Sequence, residues 1–452
     1  MRILLLNLPW RKNNRCGVRA GSRWPFTSEA EESGYIKYIP FPFFLAYAAS
    51  LLKSKNKDVK IIDAIAQGLD MQTILDEISA ACPQLIVIET STPSFDNDIK
   101  LAYEIRQKAL NSQIVLCGPH ATTYAKDILG KYDFIDYILM GEYEYTLMDL
   151  VNRLEDSRGL KSVLGLAYRN MGNIVINKPR LTIANLDDLP WPEREGLFIY
   201  KYNDGFAELP VPNVQMWSSR GCPFRCMFCL WPQVMYGEHK YRKRNPVDVV
   251  DEMEWLIDKF HFKAVYFDDD VFNIDKAYVT SICERIKKRS IKVPWAVMGR
   301  ADFMDEGLLS LLASAGLYAI KYGIESANPK VLKLCRKNLN LTKAKKMIIY
   351  TKKLGIKVHL TFCLGLPGET KQSVYDSVDF IGATRPDSLQ FSLATSFPGT
   401  DYFRYLERSG SNLSRGCLDY DGNNKYIART KELSNLDLER LKRDLCNNLN
   451  FK

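Results

Sequence analysis

At the centre of the chain stands the run Gly221-Cys222-Pro223-Phe224-Arg225-Cys226-Met227-Phe228-Cys229. Its three cysteines are separated by three residues and then by two. In a reducing compartment, thiols this close together are better explained as ligands of one iron–sulfur cluster than as disulfides. A four-iron, four-sulfur (4Fe-4S) cluster normally takes four cysteine thiolates, and no fourth is obvious here. The run therefore predicts a cluster in which one iron stays open for a chelating substrate.

A structural zinc site is the alternative interpretation of these cysteines. Such sites take four Cys or His ligands, commonly arranged as two separated pairs. His239 can serve as a fourth ligand, but no second pair is visible nearby. The iron–sulfur interpretation is therefore favoured, with Cys222, Cys226 and Cys229 as metal ligands and catalytic residues.

The cysteine run resembles the signature of the radical S-adenosylmethionine (SAM) superfamily, including the aromatic Phe228 before the third cysteine. This resemblance implies that the open iron binds the amine and carboxylate of SAM. It also implies that an electron from the cluster breaks a carbon–sulfur bond of SAM and releases a 5′-deoxyadenosyl radical. Phe228 is then expected to contribute to SAM binding.

Composition indicates a globular, soluble protein of more than one domain. The chain has 452 residues, of which 46% are hydrophobic and 25% charged, and its length suggests about three domains. The net charge of +9 is spread along predicted helices, so no nucleic-acid partner is expected. Most of the eleven cysteines are isolated, which favours the reducing cytoplasm. No apolar run approaches the roughly 20 residues of a membrane span, and we expect a monomer.

The N-terminal third alternates short apolar runs with segments of helical period. From Ile3 to about Leu150 this pattern predicts an α/β domain with a doubly wound, Rossmann-like parallel sheet. Ligands of such sheets bind beyond the carboxyl ends of the strands. The first strand is not followed by Gly-x-Gly-x-x-Gly, which disfavours a dinucleotide. The residues predicted at the strand ends are Asn7, Ser91, Thr92, Gly118, His120, Gly141 and Glu142.

This layout, placed before a radical SAM segment, resembles the cobalamin-binding domain of cobalamin-dependent radical SAM proteins. The turns at Gly118–His120 and Gly141–Glu144 resemble the Gly-Gly-Pro-His and Gly-Glu-Gly-Glu turns of that class, with Cys117 and Tyr143 each replacing a glycine. The resemblance implies that the seven strand-end residues contact cobalamin. The Asp-x-His-x-x-Gly motif of other cobalamin domains is absent, so the lower cobalt ligand is unassigned. His120 can instead cap the following helix.

A long loop follows the first strand and contains the run from Arg15 to Phe26. Loops of more than about 12–15 residues inside a compact domain are usually functional. This loop is predicted either to cover the cobalamin or shape the substrate pocket, or to form an interface with the next domain.

A second series of six β/α repeats begins near Val214. With the resemblance, it implies a partial (β/α)6 barrel whose strand ends face the ligand. The resemblance assigns Glu325 to the SAM ribose, Arg300 to the SAM tail and the Gly365–Pro367 turn to the adenosine, with Asp268 also at the mouth. Three alternatives stay open. Asp268–Asp270 can cap the next helix, Arg300 can pair with Asp302 or another nearby carboxylate, and Gly365–Gly368 can be only a turn.

These patterns predict four segments. Residues 1–160 form the cobalamin-binding domain, 161–205 a connector, 206–395 the radical SAM partial barrel and 396–452 a short C-terminal region with a helix.

The resemblance implies three cofactors, namely a 4Fe-4S cluster, SAM and cobalamin. It implies a methyltransferase that acts on an unactivated carbon of a protein side chain, lipid or natural product, reduced by a partner such as flavodoxin or ferredoxin. The alternatives are ring contraction or oxidative cyclisation with the same cofactors, and a non-enzymatic cobalamin- or redox-sensing module.

Overall fold

The computed structural model describes residues 1–12, 15–17, 27–29, 38–204, 206–422 and 425–448. The predicted functional loop from Arg15 to Phe26 therefore lies mostly outside the described residues. No helix in the described ranges is long and apolar enough to cross a membrane.

The described part of the N-terminal half contains ten strands and seven α-helices. The strands are β1 (Arg2–Asn7), β2 (Arg11–Lys12), β3 (Arg15–Gly17), β4 (Thr27–Glu29), β5 (Asp58–Asp63), β6 (Leu85–Glu89), β7 (Gln113–Cys117), β8 (Tyr137–Leu139), β9 (Leu166–Asn170) and β10 (Asn173–Ile176). The helices are α1 (Phe43–Ser54), α2 (Ala64–Gln67), α3 (Met71–Ala81), α4 (Phe95–Lys108), α5 (Pro119–Thr123), α6 (Ala125–Lys131) and α7 (Glu144–Glu155).

The main N-terminal sheet has the order β10-β9-β8-β7-β6-β1-β5. Strands β5, β1, β6, β7 and β8 are parallel neighbours, as the Rossmann-like prediction requires. All five residues of β6 are buried because helices cover both faces of the sheet. The antiparallel hairpin β9–β10 extends the sheet beyond β8 and comes from the segment predicted as a connector. The domain limits themselves stay a prediction.

The C-terminal half contains the second sheet. The strands of this half are β11 (Asn213–Met216), β12 (Ser219–Arg220), β13 (Arg242–Lys243), β14 (Ala264–Phe267), β15 (Trp295–Gly299), β16 (Leu317–Glu325), β17 (Lys357–Leu364) and β18 (Ser388–Leu393). Its helices are α8 (Pro246–Phe260), α9 (Lys276–Lys288), α10 (Glu306–Ser314), α11 (Pro329–Leu334), α12 (Leu341–Lys353), α13 (Lys371–Thr384), α14 (Asp401–Arg408) and α15 (Asn435–Asn448).

Six parallel strands form this sheet in the order β11-β14-β15-β16-β17-β18, with β11 and β18 as its two edges. The strand sequences explain the layering. Along β17, Val358, Leu360 and Phe362 are buried in the core beneath the helices, and the alternate residues face the opposite, concave side. This open, curled sheet confirms the predicted partial (β/α)6 barrel. Helix α15 packs against the edge strand β18.

Candidate functional site

The cysteine loop begins directly after β12, and β13 holds it in place. Strand β12 pairs antiparallel with β13, so the segment before β13 runs alongside the loop. Gly221 has φ +87, and a side-chain Cβ there would lie 2.0 Å from the Lys240 carbonyl oxygen. Only glycine allows this approach. The Nδ1 atom of His239 lies 2.7 Å from the Phe224 carbonyl oxygen, so this histidine supports the loop backbone.

Gln233 anchors the other end of the loop from a π-helical turn, Trp231–Met235. Its side-chain amide donates to the carbonyl oxygens of Cys226, Met227 and Cys229 at 3.2, 3.1 and 2.8 Å. Its Oε1 accepts the backbone N–H of Asp401 at 2.7 Å. One uncharged side chain thus fixes three peptide groups around the second and third cysteines.

We expect Gln233→Glu to loosen this loop. An ionised carboxylate accepts hydrogen bonds but cannot donate them, so three carbonyl oxygens would face a negative charge. The free energy of unfolding should fall by about 2–4 kcal/mol, because buried polar groups lose their partners. Chemical denaturation measures this loss, and iron release to a chelator should become faster. Gln372→Glu, at an exposed position in the first turn of α13, is the control. Equal losses in both variants would contradict the assignment.

The three cysteines are largely enclosed. Burial, with the nearby Asp270 carboxylate, raises the pKa of Cys222 to about 12. Burial also raises the pKa of Cys226, although the positive charges of Lys337 and Arg300 act to lower it. Burial raises the pKa of Cys229 as well, and the neighbouring Cys222 and Cys226 raise it further. Each thiol is therefore protonated until a metal displaces the proton.

These thiols fit a 4Fe-4S cluster. They influence one another electrostatically from a single loop, and soft thiolates suit iron–sulfur clusters. Among the described residues, no three His, Cys, Asp or Glu side chains converge on a single ion. In a four-iron cluster each cysteine binds a different iron, so its ligands need not converge on one point.

Three successive aspartates follow β14. Asp268 lies at the strand end, where its N–H donates to the Met216 carbonyl oxygen at 2.9 Å. Asp269 is fully buried and accepts from the Ser218 N–H at 2.7 Å and the Ser219 hydroxyl at 2.6 Å, and burial raises its pKa to about 6. Asp270 accepts the Gly221 N–H at 2.7 Å. The last two therefore hold the start of the cysteine loop.

Arg300 pairs with Asp302, which is the alternative to SAM binding that the sequence left open. Its guanidinium donates to both carboxylate oxygens of Asp302, at 3.0 and 2.9 Å, and to the Lys337 carbonyl oxygen at 3.1 Å. It also lies 3.9 Å from the centre of the Phe224 ring. Arg300 thus supports the cysteine loop and the segment around Lys337 within the protein, and its contact with SAM stays a prediction.

Glu325 and Lys337 form a charged pair at the barrel mouth. The Lys337 ammonium donates to Glu325 Oε1 at 3.1 Å, and both side chains are mostly buried. A Cβ at Gly323 would lie 2.7 Å from that same Oε1 and 3.1 Å from Lys337 Nζ, so this glycine makes room for the pair. The ammonium has three donors, and Glu325 takes one of them. The pair therefore fits a polar, anionic part of SAM.

The glycine-proline turn is covered by the C-terminal region. Gly365 has φ +91, and a Cβ there would lie 2.3 Å from Cζ of Tyr426. The hydroxyls of Tyr402, at 2.9 Å, and of Tyr426 both donate to the Gly365 carbonyl oxygen. The backbone N–H of Gly365 donates to the Glu369 carboxylate. Pro367, two residues further on, is buried. The C-terminal region thus contributes to the predicted adenosine side of the site.

Glu369 should make the stability of this turn depend on pH. Burial raises its pKa to about 8, whereas an unfolded glutamate titrates near about 4.3. Between these two pKa values the folded state binds more protons than the unfolded state. The contribution of Glu369 to the free energy of unfolding is therefore full at low pH and falls as pH rises, by up to about 1.4 kcal/mol per pH unit.

We expect Glu369→Gln, which is neutral at every pH, to remove this slope. Urea denaturation of both proteins between pH 5 and pH 8.5 measures the difference, which should grow with pH in favour of the glutamine variant. Parallel curves would contradict the assignment.

The predicted cobalamin contacts lie at the carboxyl edge of the N-terminal sheet. Asn7 Nδ2 donates to Asp63 at 2.9 Å, while its buried Oδ1 has no hydrogen-bond partner among the described residues. An unsatisfied acceptor there fits the amide side chains of a corrin ring. Ser91 starts the turn before α4, and its hydroxyl lies 3.2 Å from that of Ser94.

The Gly118–His120 turn has a clear structural basis. Gly118 has φ +95, and a Cβ there would lie 2.3 Å from the Thr90 carbonyl oxygen. His120 is the second residue of α5, and its Nδ1 lies 3.1 Å from the Thr92 hydroxyl. Burial lowers the pKa of His120 to about 3, so its imidazole is neutral at pH 7.

The second predicted turn, at Gly141–Glu144, meets the barrel. A Cβ at Gly141, where φ is +69, would lie 3.1 Å from the carbonyl oxygen of Met235 in the π-helical turn. Glu142 accepts from Arg220 at 2.8 Å and from Arg242 at 2.7 Å, and Glu144 accepts from Arg220 at 2.6 Å. Both carboxylate oxygens of Glu142 are thus bonded within the protein. Its contact with cobalamin stays a prediction.

Two family models match the chain. The B12 binding domain matches residues 34–151 and the Radical SAM superfamily matches residues 218–381. The uncharacterized methyltransferase PH0819 of Pyrococcus horikoshii is 31% identical over 365 residues, which cover 80% of this chain and 78% of the relative. The chain belongs to the cobalamin-dependent radical SAM superfamily.

Two further proteins are also similar to this member of the cobalamin-dependent radical SAM superfamily. The anaerobic magnesium-protoporphyrin IX monomethyl ester cyclase of Rubrivivax gelatinosus is 27% identical over 386 residues, covering 81% of this chain and 66% of the relative. The solved structure of OxsB, a cobalamin-dependent SAM radical enzyme, superposes with a TM-score of 0.75 at 17% identity, covering 99% of this chain and 66% of that chain. The second comparison supports the fold alone.

Membership of the cobalamin-dependent radical SAM superfamily confirms several predictions. The α/β fold with a cobalamin-binding and a radical SAM domain, the enzymatic class and the cofactor set of 4Fe-4S cluster, SAM and cobalamin are confirmed. The roles of individual residues stay predictions. Sequence reasoning missed Gln233, Lys337 and Tyr426, because no local motif marks them. Tyr426 in addition meets its partner, Gly365, 61 residues away.

Proposed function

We propose that this protein is a methyltransferase that transfers a methyl group to an unactivated carbon of a protein side chain, lipid or natural product. The observation that carries the proposal is the contact between the cysteine loop and the cobalamin-binding domain. Arg220 lies two residues before Cys222 and bonds to Glu142 and Glu144, which follow strand β8 of the first sheet. The ligand-binding edges of the two domains are therefore adjacent.

The proposed cofactors divide the chemistry. When bound, the cluster and SAM supply a radical that removes a hydrogen atom, and cobalamin supplies the methyl group. The protein positions these groups and excludes water. Cys222, Cys226 and Cys229 would hold the iron, Glu325 and Lys337 the polar parts of SAM, and the Gly365–Pro367 turn its adenosine. Asn7 and Thr92 would hold polar groups of the corrin.

An aromatic cluster at the domain junction suits radical chemistry. The ring of Phe44, from α1, stacks at 5.5 Å on Trp231, which directly follows the cysteine loop segment. Phe44 also meets Trp217 edge-on at 5.4 Å, and Trp231 lies 6.3 Å from Tyr236. These buried rings close the junction against water, which would otherwise compete with the substrate for reactive species.

Methyl transfer can be tested directly. Reconstituted protein would be incubated without oxygen with methyl-labelled SAM, cobalamin, a reductant and candidate substrates, and the products analysed by mass spectrometry. We expect one labelled methyl group in the substrate, with S-adenosylhomocysteine and 5′-deoxyadenosine as co-products. Protein carrying Cys226→Ala is the control. Formation of 5′-deoxyadenosine with an altered but unlabelled product would overturn methyl transfer.

Ring contraction or oxidative cyclisation is the second candidate. It is supported by the similarity to the cyclase of Rubrivivax gelatinosus, whose name describes ring formation. The same labelling experiment separates the two, because cyclisation yields no S-adenosylhomocysteine in proportion to product. We also propose that the protein is a monomer, that it acts in the cytoplasm and that a flavodoxin or ferredoxin reduces it.

A further inference from the structure

The concave side of the second sheet is polar, whereas its helix side is apolar. On β16, β17 and β18 the inward side chains include Lys321, Thr361 and Gln390, and all three are partly exposed. Met298, on β15, faces the same side and is also partly exposed. Solvent therefore reaches the inside of the curled sheet, which we call the lumen. A concave space with a few polar groups suits a ligand that forms hydrogen bonds.

The lumen is closed at the amino ends of the strands by a group of side chains, which we call the barrel floor. The barrel floor consists of Asp204, Phe206, Tyr266, Lys321 and His359. The Phe206 ring, from the segment before β11, lies 5.0 Å from the Tyr266 ring and 5.7 Å from the His359 ring. The Lys321 ammonium donates to Asp204 and lies 4.5 Å from the centre of the Phe206 ring. The segment that joins the two domains thus forms part of the barrel interior.

One imidazole nitrogen of the barrel floor has unused hydrogen-bonding capacity. His359 is 6% exposed, and its Nδ1 lies 2.8 Å from the Ser388 hydroxyl on β18. Its Nε2 is buried and has no hydrogen-bond partner among the described residues. The Gln390 side chain lies beside the ring, and its amide donates to Ser392 at 3.3 Å. An unpaired buried nitrogen costs about 1–3 kcal/mol, so a ligand atom at Nε2 would be favourable.

The charge of the barrel floor is balanced. The Lys321 ammonium is matched by the Asp204 carboxylate, and both side chains are mostly buried. Burial and the positive charge of Lys321 lower the pKa of His359 to about 3, so the imidazole is neutral at pH 7. An ion placed here would lose its hydration without gaining a counter-charge. An uncharged group that both donates and accepts hydrogen bonds fits the imidazole and the ammonium better.

We propose that the barrel floor, with Gln390 beside it, binds an uncharged hydroxyl or carboxamide group at the end of the substrate remote from the reacting carbon. The inference rests on the proposed function and narrows its substrate to a small molecule with such a group. Lys321 and Glu325 lie on the same face of β16, four residues or roughly 13 Å apart. The lumen between the barrel floor and the proposed SAM site therefore has the length of a small molecule, and a folded protein surface cannot enter it.

Histidine NMR tests the barrel floor without a known substrate. The chain has four histidines, so oxidised, reconstituted holoenzyme labelled with 15N-histidine gives few signals, and His359→Asn identifies one of them. The probes are butyramide and its isosteric anion, butyrate. We expect butyramide to shift the His359 Nε2 signal and to saturate at millimolar concentration, as its size allows. Butyrate should shift that signal at least about tenfold less, because the site offers no free positive charge.

Two controls accompany the titration. His261, exposed at the end of α8, should not shift with either probe. Gln390→Met keeps the length of the side chain but removes its amide, and should weaken butyramide binding about fivefold through the lost hydrogen bond. Iron content and far-UV circular dichroism show whether this variant is folded. The comparison of butyramide with butyrate on the wild-type protein needs no variant.

Four results would overturn the proposal: no shift of His359 with butyramide, an equal shift with butyrate, unchanged butyramide affinity in the folded Gln390 variant, or a labelled protein as the product of methyl transfer. Failure of the proposed function gives a different result, because butyramide would still shift the His359 signal while no candidate substrate gained a methyl group.

Discussion

Cys226→Ala is expected to give a folded protein that binds little iron and cleaves no detectable SAM. Of the three cysteines, Cys226 exposes the smallest fraction of its surface, 9%. Two remaining thiolates cannot hold a four-iron cluster that already has one open iron. Iron and sulfide content, electron paramagnetic resonance of the reduced protein and 5′-deoxyadenosine formation measure the loss.

A matched variant separates ligand loss from general damage. Cys283 is also a buried cysteine of the barrel half, in α9, but it lies outside the loop. We expect Cys283→Ala to keep full iron content and SAM cleavage, with only a small loss of stability from the vacated volume. A cluster of normal iron content in the Cys226 variant would show that this thiol is not a ligand.

Arg220→Met is expected to destabilise the whole protein by about 3–5 kcal/mol, because it leaves buried carboxylates without their cation. The side chains of Arg220 and Glu144 are 2% and 0% exposed. Burial raises the pKa of Glu144, whereas Arg220 and Arg242 hold that of Glu142 below its usual value despite burial. The Arg220 guanidinium also lies 4.5 Å from the centre of the Tyr47 ring, a contact that methionine cannot reproduce.

Chemical denaturation, followed separately by far-UV circular dichroism and tryptophan fluorescence, measures the effect. Lys259→Met removes one partner of the exposed pair with Glu195 and should cost less than about 1 kcal/mol. Adding Glu144→Gln to Arg220→Met should restore part of the stability by removing a stranded charge. An Arg220 variant no less stable than the Lys259 variant would show that the buried network contributes nothing.

The sequence predicts the layout of the fold well because each main strand carries its own pattern. Continuous apolar runs such as Leu85–Glu89 give buried parallel strands, and helical periods separate them. The β9–β10 hairpin was harder to place. Its strands are short, and only their pairing with β8 assigns them to the first sheet. Pairing is a long-range property that local spacing does not contain.

The candidate site also contains residues that the local sequence predicts and residues that it does not. Cysteine spacing is local, so the metal ligands can be proposed from nine consecutive residues. Arg300 and Asp302 are also close in sequence, and their pairing is one of the alternatives that the sequence offers. Lys337 instead reaches Glu325 because the chain turns sharply at Arg336 and Asn338, where φ is +58 and +49. From the sequence, Lys337 belongs to a run of basic residues that is typical of a solvated helix end.

The bonds from Arg220 to Glu142 and Glu144 have a consequence for domain exchange. A chimaera that joins this barrel to the amino-terminal half of a distant homologue would enclose an arginine without matching acids, unless the donor brought two carboxylates to the same places. Recombination between such proteins is therefore restricted to halves that have retained the same buried arginine–carboxylate pairs. We expect the two domains to be inherited together.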